Sequence, residues 1–300
     1  MRVRLAACAK VNLDLRILAR EDTGFHQLET IFQRIALADD VEVEVQDGQG
    51  IHLRCTPPVD VPDERNLAVR AAAAYRDAAQ WPDAGCAIRI TLDKRIPTGG
   101  GLGGGSADAG AVLRALNALN PSPLAEPVLL SVAATLGADV PFLASEHPIA
   151  LAWGRGERLL ALPPLPVRAV VLATFRDGVN TAAAYGALAA ARADGRVPPH
   201  GAALHTLGAL HDWARLAATA CNDFEPPVFA LRPDVARVHA AWREAAPDAL
   251  VRMSGSGATV FALGSASGAA AVQSVAAAWH DIAVVRTATL DAPPALTILS

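Results

Sequence analysis

A glycine-rich segment carries the clearest chemical signal in the sequence, because six of the seven residues 99–105 are glycine and the seventh is Leu102. Glycine leaves the backbone free to turn successive N–H groups toward one point, which makes a concave site for an anion. A strand is predicted before this loop and a helix from Ser106 after it, so the positive end of the helix faces the same point. The segment therefore predicts a site for a diphosphate or triphosphate. The alternative is a tight turn of packing glycines, at a cost of roughly 0.5–1 kcal/mol per glycine relative to alanine.

The loop meets two general phosphate-binding patterns only in part. Gly99 and Gly104 have the spacing of a Walker loop, but glycine stands where that loop needs its lysine. Gly99, Gly101 and Gly104 also match the dinucleotide fingerprint, yet residues 122–124 read Ser-Pro-Leu where an acidic residue should bind the ribose. The sequence therefore argues against a P-loop NTPase and against an NAD enzyme.

Three polar residues elsewhere are candidate catalytic groups. Lys10 and Asn12 share the polar face of an alternating, half-exposed strand predicted over residues 11–17. Asp139 follows a helix that we expect to end at Gly137 in a left-handed cap. Residues of these types are usually solvated strand residues or ordinary turn residues. The residues by themselves leave both interpretations open.

Composition excludes several classes of protein. The chain has 300 residues, a formal net charge of −4 and 5% aromatic residues, so a general nucleic-acid binder is disfavoured. No run of about 20 uncharged apolar residues predicts a membrane span. The cysteines, at positions 8, 55, 86 and 221, include no Cys-x-x-Cys pair for zinc or redox chemistry. We expect a cytoplasmic protein with about two domains.

The predicted elements alternate between strands and helices on both sides of the loop. The first half has strands over 11–17 and 88–92, a hairpin that pairs 41–45 with 51–55, and helices over 66–79, 106–120 and 127–136. Prolines at 163, 164 and 166 are typical of a linker, so we place a domain boundary between residues 1–163 and 164–300. The second half has strands over 167–174, 249–253, 258–263 and 282–286, and helices over 181–191, 204–220, 233–245 and 266–278. The pattern indicates an α+β protein.

Three sequence blocks occur in an order and spacing that identify a family. They are Ala-Lys-Val-Asn-Leu at 9–13, the glycine loop at 97–106, and Met-Ser-Gly-Ser-Gly-Ala-Thr at 253–259. Together they resemble the three signature motifs of the GHMP small-molecule kinases. Segments 24–26, 136–141 and 222–225 resemble those members that act on a cytidine-diphosphate-linked sugar alcohol. The resemblance extends from about residue 10 to about residue 261.

This resemblance implies a fold and a reaction. The fold would be α+β with two domains: an N-terminal nucleotide-binding kinase domain, 1–163, like the second domain of ribosomal protein S5, and a C-terminal GHMP kinase domain, 164–300, built as a ferredoxin-like α/β sandwich. The active site would lie in the cleft between them. ATP would donate a phosphoryl group to an alcohol of a small molecule with a cytidine diphosphate group. Mg²⁺ would be held mainly by the nucleotide phosphates. Whether the chain is a monomer or a homodimer stays open.

The resemblance also implies roles for single residues. Asp139 would accept the proton of the alcohol, and Lys10 would stabilise charge beside it. Residues expected to bind ATP are Asn66, Leu67, Lys94, Pro97, Thr98, Gly99, Gly100, Gly101, Leu102, Gly103, Gly104, Gly105 and Ser106. Residues expected to bind the second substrate are Asn12, Phe25, His26, Phe32, Asp139, Thr181 and Tyr185. Aromatic faces among them would hold the cytosine ring while His26 bonds its edge.

Two departures from the family pattern and two alternative functions accompany these expectations. Phe25 stands where relatives often have tyrosine, and Ala107-Asp108 stand where some have serine and asparagine. The aromatic residues could also be ordinary core. The alternatives are a GHMP kinase for a mevalonate-like, homoserine or sugar acceptor, and a non-catalytic nucleotide-binding regulator of the same fold.

Overall fold

The computed structural model describes residues 1–81, 85–199, 201 and 207–299, which form eleven strands in two sheets. The strands are β1 (Arg2–Arg20), β2 (His26–Gln46), β3 (Ile51–Thr56), β4 (Ala87–Asp93), β5 (Ile149–Gly154), β6 (Arg158–Ala161), β7 (Ala169–Phe175), β8 (Leu250–Met253), β9 (Val260–Gly264), β10 (Ile282–Ala288) and β11 (Thr297–Leu299). The helices are α1 (Leu67–Ala78), α2 (Gly104–Leu119), α3 (Glu126–Leu136), α4 (Val140–Ala144), α5 (Thr181–Ala193), α6 (Leu207–Leu210), α7 (Trp213–Thr219), α8 (Glu225–Leu231), α9 (Pro233–Ala245) and α10 (Ala266–Ala276). The predicted α+β class is confirmed.

The first sheet is built around the long antiparallel pair β1 and β2. Its order is β11-β1-β2-β4-β3, and β5 pairs with another part of β2 and carries β6 at its side. The expectation that residues 11–17 form a half-exposed strand is wrong, because both faces of this part of β1 are largely buried. Lys10, Asn12 and Asp14 on its polar face are each at most 4% exposed. The polar face of β1 therefore lies inside the molecule, where buried polar groups need partners.

The predicted hairpin between 41–45 and 51–55 is also wrong. β4 lies between the two strands: it runs antiparallel to β2, with Val43 opposite Ile90, and parallel to β3, with Leu53 opposite Ile90. Alternating apolar residues determine which face of a strand is buried, and they do not determine which strand is its partner. The backbone edges of β2 and β3 are thus paired by β4, a strand that follows α1 in the sequence.

Helices α1, α2 and α4 support the first sheet close to the glycine loop. The side chain of Asn66 caps α1 by accepting a hydrogen bond from the backbone N–H of Ala68 at 2.9 Å. A Cβ added to Gly110 of α2 would lie 2.6 Å from the backbone carbon of Leu143, so α2 and α4 approach to backbone contact. The loop is therefore held on a rigid base. α2 begins at Gly104, two residues before the predicted start.

The second sheet is antiparallel, with the order β10-β7-β9-β8. α5, α8, α9 and α10 contribute buried residues to its core. The single helix predicted over 204–220 is instead two helices, α6 and α7, and its first residues lie outside the described part of the chain. Asp212 separates them because its side chain accepts a hydrogen bond from the backbone N–H of Arg215 at 2.9 Å and so begins α7.

Elements of the two sheets lie on either side of the proline segment 163–166, but the end of the chain returns to the first sheet. β11 pairs with the start of β1, with Val3 opposite Ile298. The domain boundary at residue 163 stays a prediction. None of the helices in the described ranges has the length and apolar character needed to cross a bilayer.

Candidate active site

The glycine loop needs glycine at the points where it turns and where it touches the third motif. Gly99, Gly101 and Gly103 have φ values of 73°, 76° and 73°, in the left-handed region. A Cβ added to Gly101 would lie 2.1 Å from the carbonyl oxygen of Ser254, a distance no side chain can adopt. The loop therefore lies directly on segment 254–259.

Hydrogen bonds join these two segments. The Ser254 hydroxyl donates to the carbonyl oxygen of Gly101 at 2.8 Å, and the Thr259 N–H donates to the carbonyl of Gly100 at 3.2 Å. The buried amide of Asn222 donates to the carbonyls of Met253 and Gly255 at 2.7 and 2.8 Å. The motif at 222–225 thus holds the motif at 253–259, which in turn holds the loop.

Lys10 lies beside the loop with its ammonium group surrounded by acceptors. Its backbone N–H donates to the carbonyl of Leu102 at 3.0 Å, so β1 and the loop are joined directly. Its Nζ donates to the Asn12 side chain at 2.7 Å and to the carbonyl of Gly101 at 3.1 Å, and it lies 3.3 Å from Asp139 Oδ2. The structure therefore brings the two predicted catalytic residues together at the edge of the loop.

Asn12 and Phe32 complete the surroundings of the Lys10 ammonium. The Asn12 amide donates to the Thr30 hydroxyl at 2.8 Å, and that hydroxyl donates to the carbonyl of Asp14 at 2.6 Å. This chain of donors directs the Asn12 carbonyl oxygen toward Lys10. The Phe32 ring lies with its centroid 5.4 Å from Lys10 Nζ and places an aromatic face toward the cation.

Asp139 is delivered by the short connection between α3 and α4. The expected left-handed cap at Gly137 is wrong, because its φ of 165° and ψ of 160° are extended backbone. Extended geometry carries the chain past the end of α3 to Asp139 at the start of α4, where its side chain caps no helix N–H. The Asp139 side chain is 31% exposed, whereas that of Lys10 is 4% exposed. Its carboxylate is thus accessible from a cavity while it contacts the buried lysine.

Two cavities that share lining residues lie at this site, and the Lys10–Asp139 pair lines one of them. The inner cavity, about 230 Å³, is lined by Lys10, Asn12, Phe32 and Asp139 together with parts of the loop and of segment 254–259. The outer cavity, about 1280 Å³, is lined by Phe25, His26 and other residues of the β1–β2 turn, the end of α3 and α5. Thr181 and Tyr185 line both cavities. An elongated ligand could reach from one cavity into the other.

The predicted aromatic residues fall into separate places. His26 stacks on Tyr185 with ring centroids 4.2 Å apart and an interplanar angle of 15°. Phe25 is 56% exposed and has the Arg155 guanidinium over its ring at 4.0 Å, while Phe32 is 2% exposed in the inner cavity. Burial, followed by the charges of two arginines, lowers the pKa of His26. His26 and Tyr185 therefore stack in the outer cavity, which Phe25 also lines, whereas Phe32 lines the inner cavity.

The residues expected to bind ATP surround the loop from several elements. Leu67 lies next to it, since a Cβ added to Gly105 would be 3.6 Å from Leu67 Cδ1. Pro97, Thr98 and Ser106 flank the glycines and are at least partly exposed. Lys94 lies beside the loop as well, since a Cβ added to Gly104 would be 3.7 Å from its Nζ. Its ammonium also contacts the carboxylates of Asp39 and Asp108, the latter at 2.5 Å.

Asp39 is a residue that sequence reasoning missed. It is fully buried and accepts hydrogen bonds from the backbone N–H groups of Arg95 and Ile96 as well as from Lys94. It thereby fixes the chain that leads into the glycine loop. Because it lies in β2, more than fifty residues from its partners, no local pattern could have indicated it.

Asp108, in the first turns of α2, shares the Lys94 ammonium with Asp39. Burial raises the pKa of Asp108 to about 7, against the lowering effect of Lys94. Two buried carboxylates with one ammonium between them favour retention of a proton. Gly178 was missed as well: a Cβ there would lie 2.3 Å from the carbonyl oxygen of Gly99, so the segment before α5 touches the loop.

Comparisons with known proteins agree with this arrangement. A sequence model of the GHMP kinases N terminal domain matches residues 66–147, and one of the GHMP kinases C terminal region matches residues 202–281. A protein of Desulfotalea psychrophila named 4-diphosphocytidyl-2-C-methyl-D-erythritol kinase is 38% identical over 262 residues, which are 87% of this chain and 85% of the relative. A Solibacter usitatus protein of the same name is 39% identical over 86% of this chain and 80% of the relative.

Solved structures agree with the sequence relatives. A crystal structure of 4-(cytidine 5'-diphospho)-2C-methyl-D-erythritol kinase has a TM-score of 0.68 and 34% identity, covering 96% of this chain and 99% of its own. Homoserine kinase from Cytophaga hutchinsonii has a TM-score of 0.71 at 20% identity, covering 99% and 97%, which shows the shared fold alone. The resemblance stated from the three motifs is confirmed, as is the fold expected from it. By sequence and by fold, the chain belongs to the GHMP kinase family.

Proposed function

We propose that the chain transfers the γ-phosphoryl group of ATP to the 2-hydroxyl of 4-diphosphocytidyl-2-C-methyl-D-erythritol, a step of the non-mevalonate pathway of isoprenoid biosynthesis. The observation that carries the proposal is the contact between Lys10 and Asp139, 3.3 Å apart where the glycine loop meets the inner cavity. The names of the relatives at 38% and 39% identity support this choice of acceptor.

Each chemical role falls to a group in this arrangement. Asp139 accepts the proton of the attacking hydroxyl, because, among the described residues, its carboxylate is the one that lines the inner cavity. Lys10 holds a positive charge beside it, fixed by Asn12 and by the carbonyl of Gly101. Phosphoryl transfer proceeds through a loose transition state, so positioning and charge stabilisation are what the protein must supply. The backbone N–H groups of the loop and the start of α2 would hold the phosphates.

The cytidine end of the substrate fits the outer cavity. The stacked rings of His26 and Tyr185 present a flat aromatic surface, and a histidine edge can hydrogen-bond the base. Phe25 lacks the hydroxyl of tyrosine, so it would contribute its face alone.

Mg²⁺ would be held mainly by the nucleotide phosphates. In the described ranges, no three His, Cys, Asp or Glu side chains lie close enough to hold a metal ion by themselves. This fits a cation that arrives with ATP and neutralises phosphate charge when bound. We also propose a cytoplasmic location, supported by the free thiols of all four cysteines.

A coupled ATP-consumption assay tests the proposal. The acceptors are 4-diphosphocytidyl-2-C-methyl-D-erythritol, mevalonate, homoserine and galactose, each with and without Mg²⁺. We expect turnover only when the cytidine compound and Mg²⁺ are both present. Turnover with another acceptor would mean that the chain is a kinase but would refute the proposed cytidine site. ATP binding without turnover of any acceptor would support the non-catalytic regulator.

A further inference from the structure

Five residues line both the inner and the outer cavity: Leu28, Ala138, Arg155, Thr181 and Tyr185. Of these described residues, Arg155 is the one with a formal charge. It lies in the turn between β5 and β6, so a rigid sheet pair presents it at the junction. The boundary between the cavities therefore has a cationic side chain in its wall.

A substrate that spans both cavities must place its middle at this boundary. The proposed acceptor has its reacting alcohol at Lys10 and Asp139 in the inner cavity and its base at His26 and Tyr185 in the outer one. The group between these ends is a diphosphate, which carries negative charge. Guanidinium groups bind phosphate oxygens with paired, charge-assisted hydrogen bonds.

The Arg155 side chain is held on one edge and leaves another edge available. Its Nη2 and Nε lie 2.6 and 3.2 Å from Glu21 Oε2, and its guanidinium covers the Phe25 ring at 4.0 Å. Arginine has five N–H donors. Among the residues that the structure describes, no acceptor meets Nη1. Glu21 and Phe25 therefore orient the guanidinium without using all its donors.

Neighbouring cations are less suited to this role. The Lys10 ammonium is already surrounded by Asn12, Gly101 and Asp139. Arg20 and Arg158 line the outer cavity but not the inner one, and Arg158 has a 67% exposed side chain. Charge at the junction thus comes from Arg155.

We propose that Arg155 forms a diphosphate-binding position at the junction of the two cavities, which sets the distance between the bound base and the reacting alcohol. The inference rests on the proposed function, because that function supplies the diphosphate between the two ends. Its ligand is the diphosphate of a cytidine nucleotide, bound through guanidinium N–H donors.

The test compares cytidine, CMP and CDP by calorimetry on the full chain. ADP at saturating concentration occupies the nucleotide site, so that CDP cannot bind there, and Mg²⁺ is omitted. For the native chain we expect CDP to bind ~10- to 100-fold more tightly than cytidine, the range of one charge-assisted hydrogen bond. In Arg155→Gln this preference falls by about 10-fold or more while the affinity for cytidine stays the same. Arg155→Lys lies between them, because lysine keeps the charge without the planar fork.

Arg158→Gln is the matched control, since it removes the same charge from the outer cavity and should keep the preference for CDP. Unchanged ADP affinity in all variants shows that they fold. An equal preference for CDP in Arg155→Gln and the native chain overturns the role of Arg155 and leaves the proposed function intact. Absence of binding of all three cytidine compounds to the native chain overturns the proposed function, and the inference with it.

Discussion

At the scale of single residues, Lys10 and Asp139 differ in how firmly they are held. Lys10 is enclosed, and its acceptors include a backbone carbonyl and an amide that is itself fixed by Thr30. Asp139 has a partly exposed carboxylate that makes no cap contact with its own helix. In the proposed function, the lysine therefore supplies a fixed charge and the more accessible aspartate is the group that exchanges a proton with the substrate.

This difference leads to a prediction for Asp139→Asn. We expect its kcat to fall by ~10²- to 10⁴-fold, the usual contribution of a general base, while the Kd for ATP changes little. Steady-state kinetics and nucleotide calorimetry measure the two quantities. Asp281→Asn is the control, because Asp281 forms an exposed pair with Arg237 far from the loop in sequence and should leave both quantities unchanged. Full turnover in Asp139→Asn would remove this residue from the proton transfer.

Sequence reasoning found the residues whose neighbours form motifs and missed those defined by distant contacts. Lys10, Asn12 and Asp139 were identified from motifs, and the structure brings them into contact. Asp39 and Arg155 were missed, because each is held in place by partners in another part of the chain. The contacts of the Lys94 ammonium with Asp39 and Asp108 were not predicted for the same reason. A single motif cannot show which charged residues the fold places beside it.

At the scale of elements, the glycine loop lies between β1 and segment 254–259 and is hydrogen-bonded to both. Lys10 bonds it from one side and Ser254 from the other, so its conformation depends on both halves of the chain. Strand and helix identities were largely predictable, because periodicity and caps are local. The partner of β3 was not, because β4 enters between β2 and β3 from a part of the chain that periodicity cannot locate.

We predict that Gly101→Ala disrupts the contact between the glycine loop and segment 254–259. The new Cβ would lie 2.1 Å from the Ser254 carbonyl oxygen at a φ of 76°, so the loop must move away from segment 254–259. We expect kcat/KM for ATP to fall on the order of 10²-fold, as for a displacement of about 1 Å in a catalytic group.

Gly268→Ala is the control for the loop variant. It lies in α10, where the new Cβ would have ordinary contacts at 3.5 and 3.7 Å. It should retain activity and raise the free energy of unfolding by roughly 0.5–1 kcal/mol. Native kinetics in Gly101→Ala would show that the loop does not depend on its contact with Ser254.

At the scale of the whole molecule, β1 belongs to both cores. Its first part packs in the core of the first sheet, while Leu15 and Ile17 pack in the core of the second. Leu15 exchanges backbone hydrogen bonds with Cys221 and Asp223, at 2.8 and 3.0 Å. The candidate active site lies where this strand passes from one core to the other, so we expect a loss of packing in the second core to disturb the site.

Two buried titratable groups in the second core have opposite effects on the stability of the fold as pH changes. Burial raises the pKa of Glu225 to about 7, and burial followed by two arginine charges lowers the pKa of His239 to about 4. Both groups are therefore uncharged between these values, and their 3.7 Å contact is not an ion pair there. Between about pH 4.5 and 7, folded Glu225 retains a proton that the unfolded chain loses, so this residue makes stability fall as pH rises. Between about pH 4 and 6.5, unfolded His239 gains a proton that the folded chain excludes, so this residue makes stability rise with pH.

Single substitutions should separate these opposing contributions. In Glu225→Gln, the amide oxygen can still accept the hydrogen bond from the Met253 N–H, which is 2.9 Å long in the native chain. We expect the free energy of unfolding of this variant, measured by denaturant titration from pH 4.5 to 7, to rise relative to the native chain by up to ~3 kcal/mol, since each pKa unit is worth about 1.4 kcal/mol. For His239→Gln, we expect the free energy of unfolding to fall relative to the native chain as pH rises from about 4 to 6.5. This variant lacks the contribution of His239 that rises with pH and keeps the contribution of Glu225 that falls. Parallel pH profiles for the native chain and both variants would contradict this account, because they would mean that neither group changes its pKa on folding.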